Sequence, residues 1–293
     1  MPHRIDRSLI PQANSTIENA LSVDVEEYYH AAVFAEAFKG RATDGLESRV
    51  EASVERVLVL LADHDVKATF FILGQVAADH PAMIQKIAGE GHEIACHGYR
   101  HELVSRQTPQ QFRADIHQAK ALLEDITGEF VLGYRAPNFS IGHAQTWAYD
   151  ILLEEGFRYD SSVYPILHDR YGDRAAPRFP YEVRRNGHAK LVEAPIGTTR
   201  LLGVNLPIGG GGYFRLLPFA LIRGGIKRVN TREGQPMVFF FHPWELDPGQ
   251  PRPSMPWRNR FRLYVGLQKH EAKLSRLLRD VRFSTVRRIL RMP

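Results

Sequence analysis

Short apolar runs alternate with longer stretches of helical spacing from about residue 20 onward. LSVDV (21–25) is a compact apolar run. Glu47 to Ala62 then sets Val50, Val54, Val57, Leu58 and Leu61 at helical intervals. KATFFIL (67–73) reads as a buried strand. Val76 to Ala88 reads as a helix with Met83, Ile84 and Ile87 on one face, ended by Gly89 and Gly91. HEIAC (92–96) is the next strand. Thr108-Pro109-Gln110-Gln111 supplies the N-cap, the first-turn proline and the N3 glutamine of a helix start. Phe112, Ile116, Ala119, Leu123 and Ile126 form that helix's stripe, and Gly128 ends it. FVLGYRAP (130–137), FRYDSS (157–162), KLVEAPI (190–196) and MVFFFHPW (237–244) read as further strands. A helix marked by Trp147, Ile151 and Leu152 separates the first two and closes at Gly156.

Strands alternating with helices of this length predict parallel β-structure with right-handed crossovers. About seven strands make an irregular (β/α) barrel the expected α/β fold, with an open doubly wound sheet as second choice. The expected organisation is a leader segment at 1–19, a barrel domain over 20–251 and a basic helical tail over 252–293. A proline-containing excursion fills about 163–190. The run GGGG (209–212) is followed by no Gly-Lys-Ser/Thr and is no phosphate loop. It reads equally as a mobile loop over a site or as a chain reversal.

Composition narrows the class. The chain has 293 residues and 44% apolar positions, enough for a sizeable core. No apolar run is long enough to span a bilayer, and MPHRIDRSLIPQANSTIENA lacks the apolar centre of a secretory signal. Cys96 is the single cysteine, so no internal disulfide can form. A cytoplasmic location is the expectation. The formal charge of +5 hides an asymmetry. Residues 252–293 hold twelve Lys/Arg against Glu271 and Asp280, which is +10 and leaves −5 for the rest. The main domain is therefore no basic nucleic-acid binder. The basic segment is read first as a solvated helix face and second as a weak contact to an anionic membrane or polymer.

In a parallel barrel, chemistry gathers on loops at the C-terminal ends of the strands. Asp24, Glu26 and Glu27 follow the first strand. His97 and His101 follow HEIAC. Arg135, Pro137 and Asn138 follow the fourth strand, Asp160 lies in FRYDSS, and His242 and Trp244 end the last. Histidines at i and i+4 can reach one ion if they share a turn face. Asp24 and Glu26 are two apart and point the same way along a regular strand, with Glu27 turned away. Two histidines and a carboxylate leave positions open, as in catalytic zinc sites, although other divalent transition metals suit the same set. Asp24 can then serve as base, His242 as proton donor, Asp160 as support for His242, and Arg135 as the partner of Asp24. Cys96 is read as a small buried residue rather than a ligand.

These segments resemble the polysaccharide deacetylases, the carbohydrate esterase family with the NodB homology domain. The resemblance runs from about 20 to 247 through SVDVEEYY, HGYRH, YRAPN, YDSS and FFFHPW. DVEEYYH, GYRAPNFSI, YDSSVYP and FFHPWELDP resemble more closely the subgroup linked to exosortase and exopolysaccharide loci. The resemblance implies hydrolysis of N-acetyl groups on an aminosugar glycan, with a divalent ion, most readily Zn²⁺, held by Glu26, His97 and His101. It implies Asp24 as base, His242 as acid, and backbone N–H near Asn138 for the oxyanion. Tyr28 and Trp244 are expected to stack on sugar faces. The sequence departs from the family in reading Asp-Val-Glu instead of adjacent aspartates, which makes Glu27 a rival ligand, and in carrying Asn138 in place of the common tyrosine. Relatives with a spaced acidic pair include enzymes of cyclic imides and ureides, so an amidohydrolase on such small molecules is the alternative. A non-catalytic exopolysaccharide-pathway binding protein is the third reading. Oligomeric state is not legible.

Overall fold

The computed structural model describes residues 17–31, 34 and 46–292. The expected leader therefore lies, through residue 16, outside the described residues. The first element among the described residues is strand β1 (Asn19–Val25), which is buried throughout. Helix α1 (Val50–Asp63) follows, burying Val50, Val54, Val57, Leu58 and Leu61. Strand β2 (Thr69–Ile72) comes next. The single helix expected over 76–88 is two, α2 (Gly74–Asp79) and α3 (Pro81–Gly89). Pro81 lacks the N–H a continuous helix would need, so a new helix starts there. Strand β3 (Glu93–Cys96) leads to α4 (Pro109–Thr127), where the Thr108 side chain accepts from Gln111 N and Gly128 ends the helix at φ +70°.

Strand β4 (Gly133–Tyr134), α5 (Trp147–Glu154) and β5 (Tyr159–Asp160) follow, both strands shorter than the sequence suggests. The excursion carries an antiparallel strand, β6 (Tyr181–Asn186), against β7 (Ala189–Glu193). A separate hairpin joins β8 (Thr198–Leu201) to β9 (Val204–Pro207). Helices α6 (Gly211–Leu216) and α7 (Phe219–Arg228) precede β10 (Val238–Phe241). Helices α8 (Trp257–Tyr264) and α9 (Leu267–Asp280), strand β11 (Phe283–Ser284) and α10 (Val286–Ile289) complete the chain.

The strand order is β10-β1-β2-β3-β4-β5-β7-β6, with β11 paired to the start of β1. Seven of these, β1 to β5, β7 and β10, run parallel among the described residues. Past the end of β7, Ile196 bridges to Val238 of β10, so the sheet curls almost shut. This is the irregular barrel that the strand count predicts.

Period-two alternation sorts the parallel strands between two cores. Ala20, Phe71, Ala95, Tyr159, Val192, Val238 and Phe240 pack inside the barrel. Leu21, Val23, Phe70, Ile94, Cys96, Phe239 and Phe241 pack outward under the helices. Cys96 is thus a buried outward residue whose thiol burial pushes up to about 12, in keeping with an inert filler. The glycine run is neither a lid nor a free reversal. Gly210 bridges to Phe240, and a Cβ there would fall 1.8 Å from the Phe240 carbonyl oxygen. Only glycine permits that approach at φ +109°.

The segment 252–293 is no appended tail. Leu274 and Leu277 of α9 are fully buried in the outward core, and β11 pairs with β1. Most of its arginines and lysines lie on the solvated side. His270 of α9 is fully buried against Phe214 and Phe241, and neither ring nitrogen has a partner among the described residues. Burial pushes its imidazole down to about 4, and does the same to His92. Such histidines stay neutral in the folded chain but take a proton near pH 6.5 when unfolded. Stability is therefore expected to be full above about pH 6.5 and to fall as pH drops toward 4. His270→Leu should flatten that slope in a pH series of urea unfolding curves. It should also raise stability at pH 7 by about 1–3 kcal/mol by removing two unsatisfied polar atoms. An unchanged slope would refute the assignment.

Candidate active site

Alternation along β1 turns Ser22 and Asp24 to the barrel interior, and Glu26 continues that side just past the strand. Asp24 and Glu26 both line a cavity of about 1180 Å³ at the C-terminal mouth. Glu27 faces the other way. Its carboxylate accepts from Ser48 Oγ, and from Arg49 N at 3.1 Å, at the start of α1. A carboxylate at a helix N-terminus meets unpaired N–H groups and the positive end of the dipole, which fixes it there. Of the two adjacent glutamates, the one facing the histidines is Glu26.

His97 leaves β3 on the inner side, one step after the outward Cys96. His101 follows a turn in which Gly98 sits at φ +79° and His101 itself at φ +59°. Gly74 N and Gln75 N donate to Gly98 O and Tyr99 O, both at 2.9 Å, anchoring the turn to α2. The ligand atoms of Glu26, His97 and His101 all lie within 4.8 Å of one another, with His101 Nε2 at 2.7 Å from Glu26 Oε2. His97 Nδ1 lies 2.8 Å from Arg135 O. Donation to that carbonyl leaves Nε2 free, the arrangement of a metal-ligating imidazole. Burial pushes His97 down to about 4, so it is neutral, as a ligand must be. Burial alone would raise the Glu26 carboxyl, but His101 and His242 outweigh it and hold it well below the usual range. Two imidazoles and a carboxylate converging on one point fit a divalent transition ion.

Arg135 lies under the cavity floor, fully buried, with its guanidinium carbon 4.1 Å from the Phe71 ring centroid. Its Nη1 donates to Asp24 Oδ1 at 2.5 Å and to Ser22 Oγ at 2.8 Å, while Nε and Nη2 donate to Ser161 O and Ser161 Oγ. The expected Asp24–Arg135 pair is thus present, bound on every side. Asn138 lines the cavity beyond it, at φ +51°, in a turn that ties Phe139 N to Ala136 O.

Asp160 is not where the sequence reading puts it. Tyr159 points into the barrel, so alternation turns Asp160 outward, away from His242. It accepts from Ser162 Oγ at 2.6 Å and lies beside Glu193, also fully buried. Burial and the Asp160 charge push Glu193 well above the carboxylate range. Ser162 Oγ in turn accepts from Ala136 N at 2.8 Å, so Asp160 braces the Arg135–Asn138 turn instead of a histidine.

His242 leaves β10 on the inner side and finds Glu245. Glu245 Oε2 accepts from His242 N at 2.9 Å and lies 3.3 Å from Nδ1. The signal for Glu245 was available. H-P-W-E has a proline at N1 and a glutamate at N3, the spacing of a capping turn. His242 Nε2 is 3.6 Å from Glu26 Oε1. Burial would lower the imidazole's pKa, yet Glu26, Glu245 and Asp24 together raise it to about 9, so it is protonated near neutrality.

The aromatic assignments divide. Trp244 lines the cavity, but its ring stacks on His242 and its Nε1 donates to Glu26 Oε1 at 3.2 Å. Tyr28 does not reach the cavity. It is 1% exposed and packs edge-on against Tyr29 and Phe34, because the turn after Glu27 carries it into a separate apolar cluster with Trp244, Leu263 and Leu267. A residue the sequence reading passed over, His30, lines the cavity and stacks on His101 with centroids 5.4 Å apart.

Fold and site together define a (β/α) barrel with a two-histidine, one-carboxylate group at its mouth, able to hold a metal ion. Residues 44–150 match the family model Polysaccharide deacetylase, over about a third of the chain. Residues 161–291 match a second family, a domain of unknown function, DUF3473. A peptidoglycan deacetylase of Helicobacter pylori is 30% identical over 113 residues, 39% of this chain and 38% of that protein. The chain spans less than two fifths of the length of the first curated relatives it matches, with shares of 38%, 28% and 18%. Among solved structures, a "probable polysaccharide deacetylase" from Pseudomonas aeruginosa PAO1 superposes with a TM-score of 0.62 at 18% identity, covering 99% of this chain and 93% of that one. The Puue allantoinase gives 0.59 at 18% identity, covering 98% and 97%. At such identities these two speak for the fold alone. No helix among the described residues is long and apolar enough to cross a membrane.

Proposed function

We propose that the chain is a metal-dependent hydrolase that removes N-acetyl groups from an aminosugar glycan or its precursor, of the exopolysaccharide type its motifs resemble. One observation carries the reading. The carboxylates of Asp24 and Glu26 and the imidazoles of His97, His101 and His242 line a single cavity. Glu26, His97 and His101 would hold a divalent ion, most readily Zn²⁺, whose Lewis acidity polarises a carbonyl and acidifies water. Asp24, oriented by its bond from Arg135 Nη1, would take the proton of the attacking water. The backbone N–H at Asn138, on the cavity wall, would serve the carbonyl oxygen as it gains charge. His242, already protonated, gives its proton to the departing amine.

The cavity's volume of about 1180 Å³ exceeds the roughly 300–1,000 Å³ of small-molecule sites, which favours a polymer over a cyclic imide or ureide. The deciding experiment measures acetate release from N-acetylated chito-oligomers beside ring opening of a small cyclic ureide, each with and without chelator. Chelator-sensitive acetate release is the expected result. Ring opening without acetate release would overturn the reading.

A further inference from the structure

We propose that Glu245 and Arg215 are positioning residues for proton delivery by His242, and that the C-terminal segment is what holds them in register. The inference rests on reading His242 as the acid. Glu245 is fully buried and bridges two partners. One oxygen, Oε2, takes the His242 backbone N–H at 2.9 Å and faces Nδ1 at 3.3 Å. The other, Oε1, accepts from Arg215 Nε at 2.6 Å.

Arg215 belongs to α6, directly after the glycine run that is locked to β10. Its remaining donors are spent on three carbonyls of one short stretch. Nη1 reaches Leu263 O at 2.7 Å and Val265 O at 3.1 Å, and Nη2 reaches Arg262 O at 3.2 Å. Gly266 sits at φ +72°, and a Cβ there would fall 2.7 Å from Arg215 O, so only glycine lets the two backbones come this close. Leu263 and Leu267 on either side are buried with Trp244, which fixes the stretch against the site. A guanidinium bound in this way cannot swing, and a carboxylate bound to it cannot either.

The consequence is for the imidazole. Nδ1–H faces Glu245, so Nε2 is the nitrogen presented to the cavity, on the side of Glu26. Two ring nitrogens compete for one orientation, and the partner of one decides what the other can do. This is the task that the sequence assigned to Asp160, which points out of the barrel. The three carbonyls come from 262–265, inside the basic segment that composition alone would set apart as a solvated extension.

The role separates from mere folding by leaving group. An amine must be protonated as it departs, whereas 4-nitrophenolate leaves without a proton. Hydrolysis of an N-acetylated chito-oligomer and of 4-nitrophenyl acetate is compared on the same samples of the metal-loaded full chain. Glu245→Gln is expected to lower the ratio of amide to ester kcat by about 10–100-fold, with the amide KM changed by less than about twofold. Glu245→Asp, which keeps the charge, should recover much of that ratio. Equal losses on both substrates, or an unchanged amide rate in Glu245→Gln, would overturn the inference. A wild-type chain without amide hydrolysis would instead overturn the proposed function, and this inference with it.

Discussion

Asparagine at position 24 is expected to cut turnover of an N-acetylated glycan by about 10²–10⁴-fold, the usual contribution of a positioned general base. The substitution is nearly isosteric, and the amide oxygen can still accept from Arg135 Nη1, now at 2.5 Å from Asp24 Oδ1. The chain should therefore still fold. What disappears is the charge that lets the group take a proton. Arg135, fully buried, loses its counter-charge at the same time. Its bonds to Ser22 and Ser161 remain, so the stability loss should be about 1.5–3 kcal/mol, the worth of a charged hydrogen bond. Acetate release and a calorimetric melt on the same sample separate the two effects. A variant with the full deacetylation rate would end the proposed role of Asp24.

Removal of the divalent ion should abolish acetate release altogether, and Zn²⁺ added back should restore it. The cause lies in what the remaining residues can do. Asp24 alone would face water at its ordinary acidity, far from ionisation at neutral pH. Glu26→Gln and His97→Ala should each weaken Zn²⁺ binding in calorimetric titration by more than the roughly 10–100-fold lost when an outer partner is removed, because each would delete a proposed ligand itself. Glu27→Gln makes the useful contrast. Its carboxylate caps α1, so the substitution should cost stability and leave Zn²⁺ affinity alone. Tight Zn²⁺ binding by Glu26→Gln, or its loss in Glu27→Gln, would transfer the ligand role to Glu27.

Much of the site was written into single strands. Ser22, Asp24 and Glu26 share the inner side of β1 for the same reason that Ala20 does, and His97 follows Ala95 inward on β3. Alternation with period two is a local rule, and it also separates Glu26 from Glu27. Applied to FRYDSS it turns Asp160 away once Tyr159 is known to point inward, but which of the two faces the interior depends on the neighbouring strands. The family motifs suggested the support of His242 from the wrong strand, while H-P-W-E held the true neighbour three residues on.

The sequence by itself determined the seven parallel strands of the barrel, the carboxylates and histidines at their ends, and the inert Cys96. Each follows from spacing within a dozen residues or so. Only the tertiary structure decided that Gly210 lies against Phe240, that Tyr28 is walled off from the cavity, and that Arg215 ties residues 262–265 to Glu245. Those contacts join residues 30 to 50 positions apart or more. They are selected by how buried charges and backbone carbonyls must find partners once the chain has closed around them, and no local period encodes that choice.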